Sequence, residues 1–365
     1  MENDNLSNAL LGSLPAEWEP QCGTLLAWPT AGSDWKSNFH SIQDTYVTIT
    51  ACLVKNQQVI ILCQDDEQQC CISDQLHQAA TPIENIRFLH IATNDTWIRD
   101  YAPIFLLTNN NPLALNFRFN AWGEQYPYAL DNAVNAQLLE KDGFKRIKRI
   151  DLDLIFEGGN IDSDGQGHLL CNLKCINGNN EVDGNSFAQI DLQKLLSQHI
   201  SFTCLHCLEL DPLLGDDTGG HIDTLARFIR PGVIAYAHSD SPTDPNRLVL
   251  DQLFEQLSTL RDRRDNPYQL EPIAQPSTLH TNAVGEPLPA NYLNFTIANQ
   301  LVLVPQYNDP QDHKALICFQ KLFPKHEIIG IDSTAMIEQF GSLHCSTMHI
   351  PIGVLDESRS NTASL

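Results

Sequence analysis

Short apolar segments that alternate with amphipathic ones constrain this chain's fold more than any other feature of its sequence. Short apolar runs indicate buried strands, and apolar residues spaced three or four apart indicate helices. The pair 292–298 and 301–305 is expected to form a hairpin. The pattern predicts an α/β fold. Strands are expected over 24–28, 58–63, 86–91, 116–120, 202–208, 224–229, 233–237, 292–298, 301–305 and 327–331, and helices over 42–54, 66–79, 131–141, 245–260 and 311–323.

A single large domain is the organisation that the composition predicts. The chain has 365 residues, 42% of them hydrophobic, which is enough to bury a large core. Residues 261–287 are rich in charge and proline, and we interpret them as a surface excursion rather than a domain boundary. We therefore expect one domain over 1–365, with polar frayed ends near 1–12 and 357–365.

The formal net charge of −23 at pH 7 limits the partners that this chain can bind. The polyanionic backbone of a nucleic acid would be repelled, so no nucleic-acid partner is expected. A small cationic substrate would be attracted by the same field. The alternative is that the acidity only maintains solubility, because net charge by itself sets no specificity.

No membrane partner is expected either. The sequence contains no run of about 18 apolar residues, the length that a membrane-spanning helix needs. Residues 1–10 are acidic and polar and lack the basic and apolar regions of a secretory signal. We expect the protein to be cytoplasmic.

The 11 cysteines are an odd number, and without a secretory signal no disulfide framework is expected. The spacings Cys204-x-x-Cys207 and Cys171-x-x-x-Cys175 are compatible with a metal site. However, the first pair lies in a predicted strand, and no second Cys-x-x-Cys follows it. We therefore expect buried cysteines that act as small hydrophobes, and no metal.

A glycine-rich turn that runs into a His-x-Asp pair, at 215–223, is the first candidate for chemistry. Its glycines permit a positive φ or the close approach of another group to the backbone. His221 and Asp223 are two residues apart, so in an extended strand they would point to the same face. That face would carry a general acid or base beside a cation-binding carboxylate. The alternative is a capped turn with a His–Asp pair at the surface.

Two aromatic segments are candidates for the walls of a pocket. In the first, Asp100 could bind a cation and Trp97 could form an aromatic wall beside it. The alternative there is an Arg99–Asp100 ion pair in a surface turn. The second segment, 119–123, contains Trp122 and could line a pocket or form a packed aromatic loop.

Two further segments place a reactive type of side chain among small residues. Glu157 precedes Gly158 and Gly159, so its carboxylate could lie where a ligand approaches the backbone. Cys345 lies in the polar stretch 341–347, and a reactive thiol there would need a lowered pKa and access to a substrate. The alternative for Cys345 is a buried structural cysteine.

Together these stretches resemble the guanidine-modifying superfamily, and most closely its agmatine deiminase and bacterial peptidylarginine deiminase group. The resemblance runs in order from about residue 15 to 351, and 15–20 looks like the N-terminal segment of the family. It implies a five-bladed, pseudo-symmetric α/β propeller of ββαβ modules with the site at its centre. The matching stretches are Trp97-Ile98-Arg99-Asp100, Phe119-Asn120-Ala121-Trp122-Gly123, Glu157-Gly158-Gly159-Asn160, Gly220-His221-Ile222-Asp223, Val304-Pro305-Gln306-Tyr307 and His344-Cys345.

The resemblance also implies roles for the candidate residues in hydrolytic deimination. Asp100 and Asp223 would grip the planar guanidinium group of a small cationic substrate. The Cys345 thiolate would attack the guanidinium carbon. His221 would protonate the departing ammonia and then activate water, and Glu157 would support His221. No metal or organic cofactor is needed.

Agmatine, hydrolysed to N-carbamoylputrescine and ammonia, is the substrate that the resemblance favours. Trp97, Trp122 and Asp217 are expected beside it, with Asp217 near the distal amine. The sequence departs from the family pattern at 101–103 and 339–342, which affects recognition of the substrate's tail more than the chemistry. Deimination of peptidyl or free arginine and a non-catalytic polyamine-binding role stay open, as does assembly into a homo-oligomer.

Overall fold

The computed structural model describes residues 11–355, and sixteen strands form its framework within that range. The strands are β1 (Gln21–Ala27), β2 (Gln58–Cys63), β3 (Ile86–His90), β4 (Ile104–Leu106), β5 (Leu113–Arg118), β6 (Lys148–Ile155), β7 (Asp162–Ser163), β8 (His168–Asn172), β9 (Cys204–Leu208), β10 (Ala226–Arg230), β11 (Val233–His238), β12 (Gln269–Ala274), β13 (Thr296–Ala298), β14 (Leu301–Gln306), β15 (Glu327–Asp332) and β16 (Met348–Pro351).

Helices connect these strands, and several of them are single turns. They are α1 (Phe39–Leu53), α2 (Asp66–Gln78), α3 (Ile98–Tyr101), α4 (Ala121–Glu124), α5 (Ala129–Asn132), α6 (Val134–Leu138), α7 (Leu173–Asn180), α8 (Gln189–Leu196), α9 (Ile222–Leu225), α10 (Arg247–Thr259), α11 (Asp312–Leu322) and α12 (Thr334–Ile337), with 3₁₀ turns at Asp34–Ser37, Gly158–Asn160 and Glu181–Asp183. No helix within the described range is long and apolar enough to cross a bilayer.

The strands form five sheets that repeat one pattern. In four of them, β4–β6, β7–β9, β10–β12 and β13–β15, the first strand pairs antiparallel with the second. The second strand then pairs in parallel with the third. Parallel neighbours need a crossover connection, which a helical segment supplies in each sheet. The α/β class expected from the alternation is therefore confirmed.

The remaining sheet joins the two ends of the described chain. Its strand order is β16-β1-β2-β3, and β16 pairs antiparallel with β1, so that Gln21 faces Pro351 and Leu25 faces Met348. Gly12, near the start of the described range, donates its N–H to the carbonyl of His199 and accepts from the N–H of Ser201. The frayed ends expected near 1–12 and 357–365 lie almost wholly outside 11–355.

Each sheet has a polar segment immediately before its first antiparallel strand. These segments come from five separate parts of the sequence, yet each occupies the same position relative to its sheet. They are 97–103 before β4, 157–161 before β7, 215–225 before β10, 291–295 before β13 and 341–347 before β16.

Strand β14 shows how the core is divided. Successive side chains of a strand point to opposite faces. Leu301 and Leu303 accordingly belong to one cluster of buried apolar side chains, whereas Val302 and Val304 belong to a second. The expected hairpin forms between β13 and β14, and Asn299 at its turn has a φ of 54°, a left-handed conformation that asparagine tolerates.

Four sequence expectations differ from the structure. The strand expected over 292–298 is limited to 296–298, since the polar segment before β13 occupies the preceding residues. The helix expected over 131–141 is two short helices, α5 and α6, separated at Ala133. The strand expected over 224–229 begins at Ala226, because α9 occupies the preceding residues. The stretch 261–287 is not only a surface excursion, because it contains β12, which pairs in parallel with β11.

The leucine stripe of α10 packs into the second cluster as its helical spacing predicts. Leu250, Leu253 and Leu257 are buried, while Leu248 on the same helix is 71% exposed. We expect Leu253→Ala to lower the free energy of unfolding by about 2–5 kcal/mol, since it leaves a cavity in a packed core. Thermal unfolding measures the difference.

Leu248→Ala is the matched control for that substitution, and we expect it to change stability by less than about 0.5 kcal/mol. Equal losses of stability in the two variants would contradict the packing described for α10.

Candidate active site

Three polar side chains converge on the Cα atom of Gly159. A Cβ atom there would lie 2.6 Å from His221 Nδ1, 2.7 Å from Asp100 Oδ1 and 3.2 Å from Asp223 Oδ2. The first two distances are shorter than real Cβ contacts, so a side chain at this position would displace two of the converging groups. The lack of a side chain at Gly159 therefore allows these three groups to approach the backbone, as the Glu-Gly-Gly sequence suggested.

Asp100 is buried at the centre of this group. It lies on the single turn α3, where Gly159 donates its backbone N–H to Oδ1 at 2.9 Å and Trp122 donates Nε1–H to Oδ2 at 3.1 Å. Burial raises the pKa of Asp100, and His221 partly offsets that rise. The alternative of a surface Arg99–Asp100 ion pair is wrong, because Arg99 is itself buried and donates to the carbonyl of His344.

A left-handed turn places Trp122 against Asp100. All four residues of α4 have a positive φ, including 55° at Trp122 and 94° at Gly123. Such a conformation costs roughly 1–2 kcal/mol for each residue with a side chain. Trp122 also packs edge-on against Phe119 at 5.2 Å, so 119–123 is both a packed aromatic loop and a wall of the site. Strain of this kind persists where the surrounding structure holds it in place.

His221 lies directly before α9 and is fully buried. The expectation of an extended strand over His221 and Asp223 is wrong, because Ile222–Leu225 forms a helical turn, and the surface His–Asp pair is wrong as well. His221 Nδ1 lies 3.6 Å from Asp100 Oδ1, and Nε2 lies 3.9 Å from Glu157 Oε2. The helical turn still directs Asp223 to Gly159, so His221 and Asp223 both lie at the site although they are not in a strand.

The neighbours of His221 favour its charged form. Burial alone would lower its pKa, but Asp100, the thiol of Cys175 and Glu157 outweigh burial and hold the pKa well above its ordinary value. Burial raises the pKa of Glu157 to about 7. The structure thus provides an imidazolium that can donate a proton. Sequence reasoning gave no such position to Cys175, whose thiol donates to the carbonyl of Thr218, 43 residues away in the sequence.

Cys345 is buried beside the two aspartates. Asn294 Nδ2 donates a hydrogen bond to its Sγ at 3.3 Å. Burial, then Asp223, then Asp100 raise the pKa of the thiol well above its ordinary value. A cation bound between the two carboxylates would cancel their effect, so a cationic substrate would itself favour the thiolate.

Asp223 is the first member of a buried chain of charges that sequence reasoning missed. Its Oδ2 lies 2.6 Å from His344 Nδ1, and His344 Nε2 lies 2.7 Å from Glu17 Oε2. Arg227 Nη2 donates to the same oxygen of Glu17 at 2.6 Å. Burial alone would raise the pKa of Glu17, but Arg227 and His344 outweigh it and hold that pKa well below its ordinary value. Only the position of Glu17 in the family-like segment 15–20 signalled it.

A pocket with an empty volume of about 340 Å³ opens onto Cys345 and Asp100. Three carboxylates line it and no lysine or arginine does. Tyr126 donates its hydroxyl to Asp217 Oδ2 at 3.1 Å, and burial followed by Asp216 raises the pKa of Asp217 to about 7. The lining residues are Asp95, Trp97, Asp100, Trp122, Tyr126, Asp217, Thr218, Gln339, Phe340, Gly341 and Cys345.

Several buried polar atoms of the site lack a hydrogen-bond partner within the described protein. They are both ring nitrogens of His221, Glu157 Oε2 and Asp223 Oδ1. Buried polar atoms are normally paired, so an unpaired group in a native structure calls for an explanation such as a catalytic role or an unseen bound group. The structure brings the candidate residues predicted from the sequence together at one site. The unpaired atoms leave hydrogen-bond donors and acceptors available to a polar ligand.

The group Glu157, Cys175 and His221 offers three potential metal ligands at the site. A metal needs the neutral form of imidazole, whereas the neighbours of His221 favour its protonated form. This group therefore suits proton transfer better than metal binding.

Comparison with known proteins gives the family of this chain. The family model described as Porphyromonas-type peptidyl-arginine deiminase matches residues 13–351. The chain belongs to this family. The resemblance seen in the sequence motifs is thereby confirmed.

Similar proteins align with this chain over nearly its whole length. An agmatine deiminase of Pseudomonas syringae pv. tomato is 28% identical over 360 residues, which span 93% of this chain and 95% of that protein. The structure of a C. jejuni agmatine deiminase with substrate bound is 32% identical, with a TM-score of 0.82 over 96% of this chain and 98% of that one. An agmatine deiminase of Enterococcus faecalis, 23% identical, has the same fold with a TM-score of 0.82 over 93% and 96% of the two chains.

The charge chain through Glu17 yields a stability prediction. We expect Glu17→Gln to lower the free energy of unfolding by about 3 kcal/mol at pH 7, because it removes one of the two carboxylates that compensate the buried charge of Arg227, the other being Asp162. Thermal unfolding measures the loss. Glu19→Gln is the control, since Glu19 is partly exposed and its side chain accepts the backbone N–H of Ala16.

The same comparison has an expected pH dependence. Because the folded-state pKa of Glu17 is depressed, its contribution is complete above the unfolded-state pKa of about 4.3 and is lost as the pH falls through the folded value. The gap between wild type and Glu17→Gln should therefore shrink in acid. A gap that stays constant down to pH 3 would contradict this account.

Proposed function

We propose that this protein hydrolyses agmatine to N-carbamoylputrescine and ammonia. The observation that carries the proposal is a buried thiol, Cys345, beside two carboxylates in a pocket lined by acids and aromatic rings. That arrangement suits a flat organic cation. The similarity to agmatine deiminases over more than nine-tenths of the chain supports the same activity.

Asp100 and Asp223 hold the guanidinium group in this proposal. Carboxylates bind the parallel N–H groups of a guanidinium ion through paired, charge-assisted hydrogen bonds. Trp122, Gly159 and His344 fix the orientation of the two carboxylates through the contacts described above. The substrate's charge offsets the two negative charges that keep Cys345 protonated, and the thiol releases its proton to solvent as the complex forms.

The covalent step follows from the proton that His221 carries. The Cys345 thiolate attacks the guanidinium carbon, forming a C–S bond and a neutral tetrahedral intermediate. His221 gives its proton to one amino group, which leaves as ammonia, and an amidino-thioether remains on Cys345. Glu157 keeps His221 oriented toward the reacting centre.

The second half of the reaction returns the enzyme to its starting state. Neutral His221 now takes a proton from a water molecule that attacks the same carbon. Collapse of the second tetrahedral intermediate breaks the C–S bond and releases the urea product. The hydroxyl proton of the intermediate passes to the departing sulfur, so Cys345 is again a thiol and His221 is again protonated.

The pocket lining favours agmatine over free arginine. Asp217 offers a carboxylate to the distal ammonium group of agmatine, and Trp97 and Trp122 flank the aliphatic chain. The α-carboxylate of arginine would meet Asp95 and Asp217 with no cation in the lining to balance it. An arginine residue within a peptide lacks that carboxylate, so peptides belong in the functional test.

We propose that the five sheets are the blades of a propeller around this site. The proposal is supported by their shared strand pattern and by the polar segment before each first strand. Asp100, Glu157, His221, Asn294 and Cys345 come one from each of those five segments. A pseudo-symmetric arrangement of the sheets explains why such segments meet, and the 1–365 chain would then be one catalytic domain.

A reducing compartment such as the cytoplasm is the location that we propose. None of the 11 cysteines, all of which lie within the described residues, forms a disulfide, and the sulfur atoms of Cys171 and Cys207 lie 3.6 Å apart without a bond. Disulfides between neighbouring thiols are disfavoured where glutathione and thioredoxin keep them reduced.

Ammonia release tests the proposed activity. We expect release from agmatine and not from free arginine or an arginine peptide, and we expect Cys345→Ala to abolish it because the variant lacks the proposed nucleophile. Cys318→Ala, on α11 and outside the pocket, should retain activity. Acid-quenched wild-type protein should carry the mass of an amidino adduct.

The other outcomes of that assay point to the alternatives. Release from the peptide instead of agmatine would indicate a peptidylarginine deiminase, and agmatine binding without any release would indicate a polyamine-binding protein. Full activity of Cys345→Ala would remove the proposed nucleophile.

The raised pKa of Asp217 yields a pH prediction. Below about pH 7 this carboxyl group becomes neutral and attracts the distal ammonium less, so kcat/KM for agmatine should fall with pH more steeply in wild type than in Asp217→Asn. At pH 8, Asp217→Asn should raise KM by about tenfold or more, the value of a charged hydrogen bond.

An alkylguanidine without the distal amine is the control substrate. Wild type and Asp217→Asn should process it with similar kcat/KM values at every pH. A defect of the variant that is equal for both substrates would show that Asp217 does not recognise the amine.

A further inference from the structure

A second cluster of potential metal-ligating side chains lies outside the pocket, on the sheet β7–β9. His168 on β8 and Cys204 and His206 on β9 place one potential metal-ligating atom each within 4.8 Å of the others. The two histidines are buried, and Cys204 is half-buried. None of the three lines the pocket around Cys345.

Strand register explains why these three side chains meet. His168 is paired with Cys204 across the parallel β8–β9 ladder, and His206 is two residues beyond Cys204. Side chains that are paired or two residues apart share one face of a sheet. Cys207 is three residues from Cys204 and therefore faces the other side, where it meets Cys171. The Cys-x-x-Cys spacing is thus not a ligand pair in this fold.

The geometry at His168 is crowded with polar atoms. His168 Nδ1 lies 3.1 Å from His206 Nε2 and 3.0 Å from the hydroxyl oxygen of Tyr268, and Cys204 Sγ lies 3.7 Å from His206 Nδ1. One imidazole nitrogen carries either one N–H or one lone pair, so it cannot make a full hydrogen bond to both neighbours. Ligands of a tetrahedral zinc ion are about 3.3–3.8 Å apart. The 3.1 Å and 3.7 Å separations involve the two different ring nitrogens of His206, so all three residues share one ion only when the His206 ring turns to present a single nitrogen.

The electrostatic surroundings favour a cation at this cluster. The carboxylates of Asp164 and Asp262 place negative charge near the Tyr268 hydroxyl. Asp164 also accepts the backbone N–H of His168 at 2.9 Å.

We propose that His168, Cys204 and His206 bind a zinc-class divalent metal ion. Two imidazoles and a thiolate are ligands that zinc prefers, and the Tyr268 hydroxyl or a water can complete four-coordination. On binding, the Cys204 thiol releases its proton and the ion takes the place of the hydrogen bond between the imidazoles. The ion lies between the sheet β7–β9 and the segment that enters β12, so it links the sheets β7–β9 and β10–β12.

Cobalt titration tests the site. Reduced, chelator-treated protein is titrated with Co²⁺, whose thiolate charge-transfer and visible d–d absorption report sulfur ligation and tetrahedral geometry. All proteins carry Cys70→Ser and Cys71→Ser, because these two cysteines are exposed. Cys204→Ser is compared with Cys207→Ser, the matched control on the same strand, and with His206→Gln.

We expect one equivalent of Co²⁺ with a tetrahedral spectrum in the parent and in Cys207→Ser, displaced by one equivalent of Zn²⁺. The thiolate band should be absent in Cys204→Ser, and His206→Gln should weaken binding at least tenfold. A thiolate band that persists in Cys204→Ser, or that disappears equally in Cys207→Ser, would overturn the assignment. No saturable binding at micromolar Co²⁺ would overturn it as well.

Thermal unfolding gives an independent readout. Zn²⁺ in excess should raise the Tm of the parent and of Cys207→Ser, because an ion that binds only the folded state stabilises it by mass action. The Tm of Cys204→Ser should not respond. Retained ammonia release by Cys204→Ser shows that the variant is folded, and an equal Zn²⁺-induced rise in its Tm would contradict the proposal.

Discussion

The burial of several carboxylates beside one thiol is the constraint on which the rest of this structure depends. Carboxylates removed from water are costly unless hydrogen bonds or countercharges compensate them. Trp122 and Gly159 compensate Asp100, and His344, Glu17 and Arg227 form the chain that compensates Asp223. What is left uncompensated is a negatively charged space next to Cys345, which a guanidinium ion would fill.

Repetition solves the problem of assembling such a site from distant parts of the chain. Each sheet brings one polar segment to the same place before its first strand, so five short segments meet although they span 97 to 347. A short turn at each position is enough to direct a side chain. The left-handed turn at Ala121–Glu124 and the helical turn at Ile222–Leu225 do this by different backbone geometries.

Sequence reasoning succeeded where a local pattern decides the outcome. The α10 leucine stripe, the β13–β14 hairpin and the glycines of 157–160 were predicted correctly because periodicity, turn preference and lack of a side chain act within a few residues. It was wrong where partners are distant. The short segment of β12 contains Glu271 and Pro272, which disfavour a strand, and it is a strand because it pairs with β11. Similarly, the surface ion pair at Arg99 was wrong because Glu17 and His344 approach it from the two ends of the chain.

The sequence by itself determined the α/β class, the family and the residue types available for chemistry, since these depend on periodicity and on short ordered motifs. Only the tertiary structure decided that Cys345 faces two buried carboxylates, that Glu17 holds His344, and that Cys204 pairs with His206 rather than with Cys207. The physical reason is that charge compensation and ligand geometry depend on distances between separate sheets. Strand register and packing set those distances, and neither is written in the spacing of residues along the chain.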